Sequence, residues 1–304
     1  MHAFESTRMT ISEWLAPHKR THCDYKFAVI DVTEACDVSD EIRHYLARQL
    51  VLAHGNPGMI KAECQKLLDD ARELELENIE HCLQKAVLAD WDQTQKRILE
   101  NYLEHEILPS TEKVITRIGN FGEVIAALFL IEFEGFWFPI YKLRYREKKD
   151  WASRLTDLCL IKIVNDQNPL ICYGEVKTHS SKCDKKLGIQ GHDSLSKDDA
   201  LNNPEILRFI STRLYESGRF DEASFISDLR LGRTRYNRRH DLYLIHDSAT
   251  WSEEILERLH AHDLDKSLAD FSVRVLLIRE LRGLIDRTYE CSWIAAKDIV
   301  DEQE

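Results

Sequence analysis

The run Thr156-Asp-Leu-Cys-Leu-Ile-Lys-Ile-Val164, the polar break Asn165-Asp-Gln-Asn-Pro169 and the run Leu170-Ile-Cys-Tyr-Gly-Glu-Val-Lys177 follow one another without interruption. Short apolar, β-branched segments on either side of an Asn/Asp/Pro cluster predict two strands joined as a hairpin. Asp157 stands at the head of the first strand, and Glu175 and Lys177 at the end of the second. Folding back across a turn centred near residue 167 brings Asp157 to within a few residues of Glu175. Positions i and i+2 of a strand share one face about 6.6 Å apart, so Glu175 and Lys177 point the same way and Val176 points to the core. Two carboxylates and an amine are thereby expected at one end of a sheet.

Upstream of the hairpin, Pro109-Ser-Thr111 leads into a periodic apolar helix over about 112–132, with Val114, Ile118, Phe121, Ile125 and Leu128 on one face. Glu123, in Gly119-Asn-Phe-Gly-Glu123, interrupts that helix where an idle charge is expensive. Phe136 to Tyr145 is read as another strand. After the polar stretch 178–199 come a helix over about 204–217, a strand over 240–246, a helix over 252–260 and a strand over 271–278, with a last strand near 289–294. Hairpins together with helical crossovers predict an α/β fold with a mixed sheet flanked by helices, in the order helix, three strands, helix, strand.

The first third differs. A short strand over 25–33, helix signals from Asp37-Val-Ser-Asp40 to Ala53, a break at Gly55-Asn-Pro-Gly58 and a long helical stretch over 59–108 predict a mainly helical N-terminal region, 1–108, ahead of the domain 109–304. In that stretch Leu67, Leu68, Leu74, Leu76, Ile79, Leu83, Val87 and Leu88 recur at helical intervals, and six acids between Asp69 and Glu80 read as a solvated face.

The chain has 304 residues, 41 Lys and Arg against 53 Asp and Glu, and a net charge of −12, so about two domains are expected. With 43% hydrophobic residues, 31% charged residues, 11 Gly and 6 Pro, a collagen-like or largely disordered chain is excluded. The densest apolar run, Val124 to Ile131, falls short of a membrane span, and Met1 to Trp14 lacks a signal-peptide core. Eight scattered cysteines without a Cys-x-x-Cys suit reduced thiols and a cytoplasmic setting. The six tryptophans, Trp137 and Trp151 among them, are expected in the core or at an interface.

Asp157 and Glu175 as hard oxygen donors, with Glu123 as a further ligand, match a Mg²⁺ (or Mn²⁺) site that takes water and a substrate phosphate. Lys177 beside them is placed to orient or deprotonate the water and to neutralise a phosphorane. Basic residues cluster at Lys142, Arg144, Arg146, Lys148 and Lys149 and again at Arg233, Arg235, Arg238 and Arg239, where they are expected to contact a nucleic-acid backbone, with Tyr236 able to stack on a base. The acidic total does not forbid this, because binding follows local fields. His179 and His192 are read as loop histidines, and His260 and His262 as too poorly spaced on a helix to bind one metal. The Arg239 to His246 run superficially matches the Arg-x4-6-His pattern of some RNases but lies in a strand-like run, where those enzymes use a helix.

At these residues the sequence resembles the PD-(D/E)XK nuclease superfamily, with its restriction-endonuclease-like fold. More narrowly, Arg117-Ile-Gly-Asn-Phe-Gly-Glu123, Lys142-Leu-Arg-Tyr-Arg146, Thr156-Asp157 and Gly174-Glu-Val-Lys177 are similar to the HamA family, nuclease subunits of the Hachiman antiphage defence system. The resemblance covers about residues 110–280. It implies metal-dependent hydrolysis of DNA phosphodiester bonds with little sequence preference, at Glu123, Asp157, Glu175 and Lys177. It also implies a restraining superfamily-2 helicase partner, HamB, for which the N-terminal region is the expected dock. Thr156 departs from the proline for which the superfamily is named. A second reading keeps the nuclease fold only as an inert scaffold for a helicase; the intact acids and lysine speak against it.

Overall fold

The computed structural model describes residues 10–18, 25–34, 38–81, 91–146, 148–149, 156–164, 167–181, 183–197 and 205–302, with the backbone alone given for 74–81. Among these residues six strands form one mixed sheet: β1 (Leu15–His18), β2 (Ala28–Glu34), β3 (Leu158–Lys162), β4 (Leu170–His179), β5 (Asn237–Asp247) and β6 (Phe271–Ile278). Their spatial order is β1-β2-β6-β5-β4-β3. The four inner strands run parallel, and β1 and β3 close the two edges antiparallel. The α/β class and the flanking helices are as the sequence predicts.

Parallel strands buried on both faces require helical crossovers. Those between β4 and β5 are α5 (Leu187–Lys197), α6 (Glu205–Glu216) and α7 (Phe220–Arg230), and β5 reaches β6 through α8 (Glu254–Ala261). The helical layer contains α1 (Asp40–His54), α2 (Pro57–His81), α3 (Trp91–Tyr102), a π turn at Leu103–Ile107, α4 (Val114–Glu134), α9 (Leu281–Glu290) and α10 (Ser292–Asp301). One continuous core joins Leu46 and Leu50 of α1, Ile125 and Leu128 of α4, Ile285 of α9 and Ala296 of α10 to Val176 and Ile245 of the sheet. Strand β2, from the N-terminal third, pairs along β6, so the sheet draws on both parts of the chain.

α4 is long and apolar enough to cross a membrane by length and composition alone. The criterion of an unbroken apolar run passes over it. Its residues from Asn120 to Leu130 are mostly buried between the sheet and the neighbouring helices, which makes it a core helix.

Two expected strands are replaced. Over 136–145 only Trp137 makes a bridge, to Ile161, and Lys142–Tyr145 is a 3₁₀ turn. Pro139 lies within this run, supplies no ladder donor and gives its carbonyl to Arg219. Residues 289–294 end α9 and begin α10, because Leu284, Ile285, Ala295, Ala296 and Ile299 are buried at helical spacing. The polar stretch after β4 contains α5, and α7 follows α6 without a strand. Within the expected capping run Asp37-Val-Ser-Asp40 it is Ser39 that caps α1, its side chain accepting from the Ile42 amide; Asp37 lies outside the described residues.

The acids Asp69, Asp70 and Glu73 are exposed as expected, and Leu68 is buried. The side chains of Leu74, Leu76, Ile79, Leu83, Val87 and Leu88 and of the later acids lie outside the described residues, as does Trp151. Cys64, Cys159, Cys172, Cys183 and Cys291 are free thiols; Cys23, Cys36 and Cys82 are outside the described set.

Candidate active site

The hairpin closes with Leu158 opposite Gly174, which sets Asp157 beside the Glu175–Val176 segment. Two side-chain bonds extend the pairing beyond the strand. Thr156 donates its hydroxyl to the Gly174 carbonyl at 3.2 Å, and Asp157 Oδ2 accepts the Val176 amide at 2.9 Å. A proline at 156 has no hydroxyl to donate, so the threonine clamps the strand head in its own way. Gly174 faces Leu158 so closely that an added Cβ would meet it at 3.1 Å.

Helix α4 brings the third acid. It crosses β4 at Gly122, where a Cβ would lie 1.7 Å from Thr178 Oγ1. Only glycine permits this approach, and the next residue, Glu123, is thereby lowered onto the strand that carries Glu175 and Lys177. Gly191 of α5 serves the same purpose from the other side, against Leu242 and Lys177.

Lys142 lies inside the resulting acidic centre. It is 5% exposed, donates to Asp157 Oδ1 at 3.0 Å and stands 3.8 Å from Glu123 Oε2. Lys177 pairs with Glu175 Oε1 at 2.7 Å and is more open. Burial pushes the Glu123 carboxyl up to about 7 against the pull of Lys142, with Asp157 adding repulsion. Burial and then the Asp157 charge likewise raise Glu175 to about 7, against the bond from Lys177. Burial opposes the Lys142 charge, but Glu123 and Asp157 outweigh it and the ammonium is held on.

All four acid and lysine positions read from the sequence thus line one cleft of about 570 Å³, together with Asn120, Arg146 and His179. Three desolvated carboxylates with two ammoniums have the donor set and unspent charge that suit a hard cation.

The basic residues divide. Lys142 is part of the acidic centre, where the sequence placed it on a DNA-facing strand; its flanks, Ile140 and Leu143, are the signal that it is buried. Arg144 donates to the Leu52 carbonyl, Arg146 to Asn120 Oδ1 at 2.6 Å, and Lys149 to the Glu104 carbonyl; Lys148 is exposed. Arg239 is taken inside, bonded to Glu134 at 2.7 Å and to the fully buried Asp241 at 2.8 Å, in a network with Arg274. Arg233, Arg235 and Arg238 are exposed at the start of β5. Arg238 pairs with Ile171, four residues before Glu175 and so about 13 Å from it along the strand.

His192 is buried rather than on a loop and groups with Asp193 and His262. Its Nε2 accepts the Asp265 amide at 3.0 Å, so Nδ1 carries the proton and donates to Asp193 at 3.3 Å. That proton occupies the position a metal would need. His260 accepts the Lys26 amide.

The features assembled so far define a mixed α/β protein with a three-carboxylate, two-lysine centre opening into a cleft. A profile of the HamA family matches residues 41–290, and the chain belongs to that family. Over 124 residues it is 32% identical to the Hachiman protein HamA of Bacillus cereus. The match covers 41% of this chain and 42% of that relative's length.

Proposed function

We propose that this protein is a metal-dependent nuclease that hydrolyses DNA phosphodiester bonds with little sequence preference, as the effector of a Hachiman antiphage defence complex in the cytoplasm. The observation that carries the reading is the convergence of Asp157, Glu175, Glu123 and Lys177 on one cleft. The acids fit Mg²⁺ or Mn²⁺: all are oxygen donors, and two retain protons near neutrality in the absence of a further cation. Asp157 and Glu175 would hold the metal, with Glu123 as a further ligand. The bound metal would supply Lewis acidity at the scissile phosphate and a more acidic water.

The remaining work belongs to the chain itself. Lys177, at the cleft edge, orients the attacking water and places its charge where negative charge grows on the phosphate oxygens. Asp157, fixed by the Val176 amide, keeps one oxygen on the strand and the other toward the centre. Arg146 lines the same cleft and is positioned for a backbone phosphate, as are Arg144 and Lys148 nearby. Arg235, Arg238 and Arg233, the last also paired with Asp228 at 3.2 Å but exposed, offer a second, more distant backbone contact, whereas Lys142 and Arg239, drawn into ion pairs within the fold, are assigned to it. Membership of the HamA family and the likeness to a Hachiman protein support the defence role and a HamB-type helicase partner. The N-terminal helical layer is the dock proposed for it.

The test is incubation of the purified protein, with and without its partner, with plasmid DNA and Mg²⁺ or Mn²⁺. Cleavage is expected, silenced by EDTA and by Asp157→Asn, Glu175→Gln or Lys177→Ala in proteins that fold normally. Unchanged cutting by these variants refutes the site. No cutting under any condition would leave the inert-scaffold reading.

A further inference from the structure

Beside the acidic cleft lies a second cavity, of about 660 Å³, walled by the end of α1, the π turn, Leu143, Arg144, Arg146, Lys148 and Lys149. Its charge is opposite. Among the described residues Lys113, Arg144, Arg146, Lys148 and Lys149 line it, against the single carboxylate of Glu106. In a chain of net charge −12 such a concentration of cations is a local field of its own sign.

Three of these cations are held by neutral partners. Arg144 is anchored by the Leu52 carbonyl, Lys149 by the Glu104 carbonyl and Arg146 by the Asn120 amide oxygen. Such bonds fix a side chain without cancelling its charge. Burial pulls the guanidinium pKa of both Arg144 and Arg146 down, the cost of desolvated cations kept in place.

The anchor of Arg146 is itself oriented. Burial drives His54 down to about 3, so its ring is neutral. Nδ1 donates to the Leu50 carbonyl at 2.8 Å, which leaves Nε2 to accept from Asn120 Nδ2 at 2.8 Å. The Asn120 oxygen is therefore turned toward Arg146. This relay runs from α1 through α4 to Arg146, which among the described residues is the one cation lining both cavities.

We propose that this basic cavity receives the phosphates of a single nucleic-acid strand where it leaves the acidic cleft, with Arg146 bridging the two. The inference rests on the nuclease reading and adds the path and strandedness of the substrate. A recess of this volume has the size of an ordinary small-ligand pocket and accommodates nucleotides of a flexible strand. The body of a duplex, whose major groove alone is about 12 Å wide, does not enter it.

The experiment uses the full chain carrying Asp157→Asn, in EDTA, and measures fluorescence anisotropy with a labelled 12-nucleotide single strand and the corresponding duplex across a salt series. Lys113→Ala and Lys148→Ala remove exposed side chains, and the exposed Lys266→Ala is the control. Each cavity variant is expected to lower the slope of log affinity against log salt by about 0.7 and to weaken strand binding about fivefold at 0.1 M salt. Duplex binding and the control should not move. Unchanged strand binding, or equal loss for strand and duplex, overturns the proposal. Inorganic phosphate or pyrophosphate that stabilises the protein through Lys113 and Lys148, while strand binding ignores them, also overturns it and assigns the cavity to a small free anion. Because the assay needs no cleavage, an inert wild type that still shows the strand-specific losses sinks the nuclease reading and not the cavity.

Discussion

Replacing Lys142 by Met keeps the length and packing of the side chain and removes the ammonium that separates Glu123 from Asp157. Leaving buried carboxylates without their cation typically costs about 3–5 kcal/mol. For 304 residues, an unfolding entropy of about 2.1 cal/mol/K per residue gives roughly 0.6 kcal/mol/K. The melting temperature in EDTA should therefore fall by about 5–8 °C at pH 8. At pH 5 the deficit should shrink, because Glu123 and Glu175, already raised to about 7, take up protons instead. A divalent cation should then act as a substitute. At one hundred times its Kd it returns about 2.7 kcal/mol, or roughly 4 °C. The wild type should gain less from the same Mg²⁺ or Mn²⁺, since there the cation must first displace Lys142 from Asp157 Oδ1. Differential scanning fluorimetry of both proteins, with EDTA or a cation series, decides the matter. A variant as stable as wild type without metal, or one with no larger cation-induced shift, would refute the assignment of Lys142 as internal counterion.

The other expectations rest on the same geometry. Gly122→Ala places a Cβ against Thr178, so a loss of about 1–3 kcal/mol and a fall in cation-induced stabilisation should appear together in thermal melts. Glu123 and Glu175 hold protons in the folded protein above the ordinary value of 4.5, so their contribution is complete below about pH 4.5 and is lost as pH rises through about 7. Stability of Glu175→Gln measured from pH 5 to 8 should fall less than that of wild type, and an equal slope would count against the raised carboxyl. Thr156→Val removes one buried hydrogen bond to Gly174 and should cost about 1 kcal/mol in urea denaturation without loss of secondary structure by circular dichroism.

The sheet centre was legible because its signals are local. Strand β4 announces itself by β-branched and apolar residues after Asn-Pro, and Glu175 and Lys177 share a face by the pleat alone. The apolar content of 136–145 suits a strand, but Pro139 inside it bars a ladder, and at 289–294 six residues are too few to separate period 2 from period 3.6. Edge strand β1 is four residues long and gains its order from pairing with β2, which no local pattern records. In sequence Lys142 is one of a run of cations that reads as surface. The buried cation of such a run is chosen by where Glu123 and Asp157 stand, and that is a tertiary fact. The same holds for the pairing of Arg239 with Glu134 of α4, whereas its other partner, Asp241, stands two residues along the same strand.

The two lysines of the centre divide the labour by depth. Lys142 is almost sealed and touches two acids, while Lys177 is about a quarter exposed and touches one. A buried ammonium held by two carboxylates is poorly placed to meet a water or a phosphate, because moving it leaves both acids uncompensated. The more open ammonium faces the cleft and gives up a single bond when it turns. Three carboxylates with two ammoniums carry one negative charge in excess of neutrality, and two of the acids already relieve that excess by holding protons more tightly than free carboxyls do. A divalent cation would release those protons, so its binding should tighten as pH rises through 7 and should be accompanied by proton release. Isothermal titration of Mn²⁺ in two buffers of different ionisation enthalpy reads that release directly. Binding without proton release at pH 6.5 would show that the acids are already ionised and that the charge ledger of the centre is wrong.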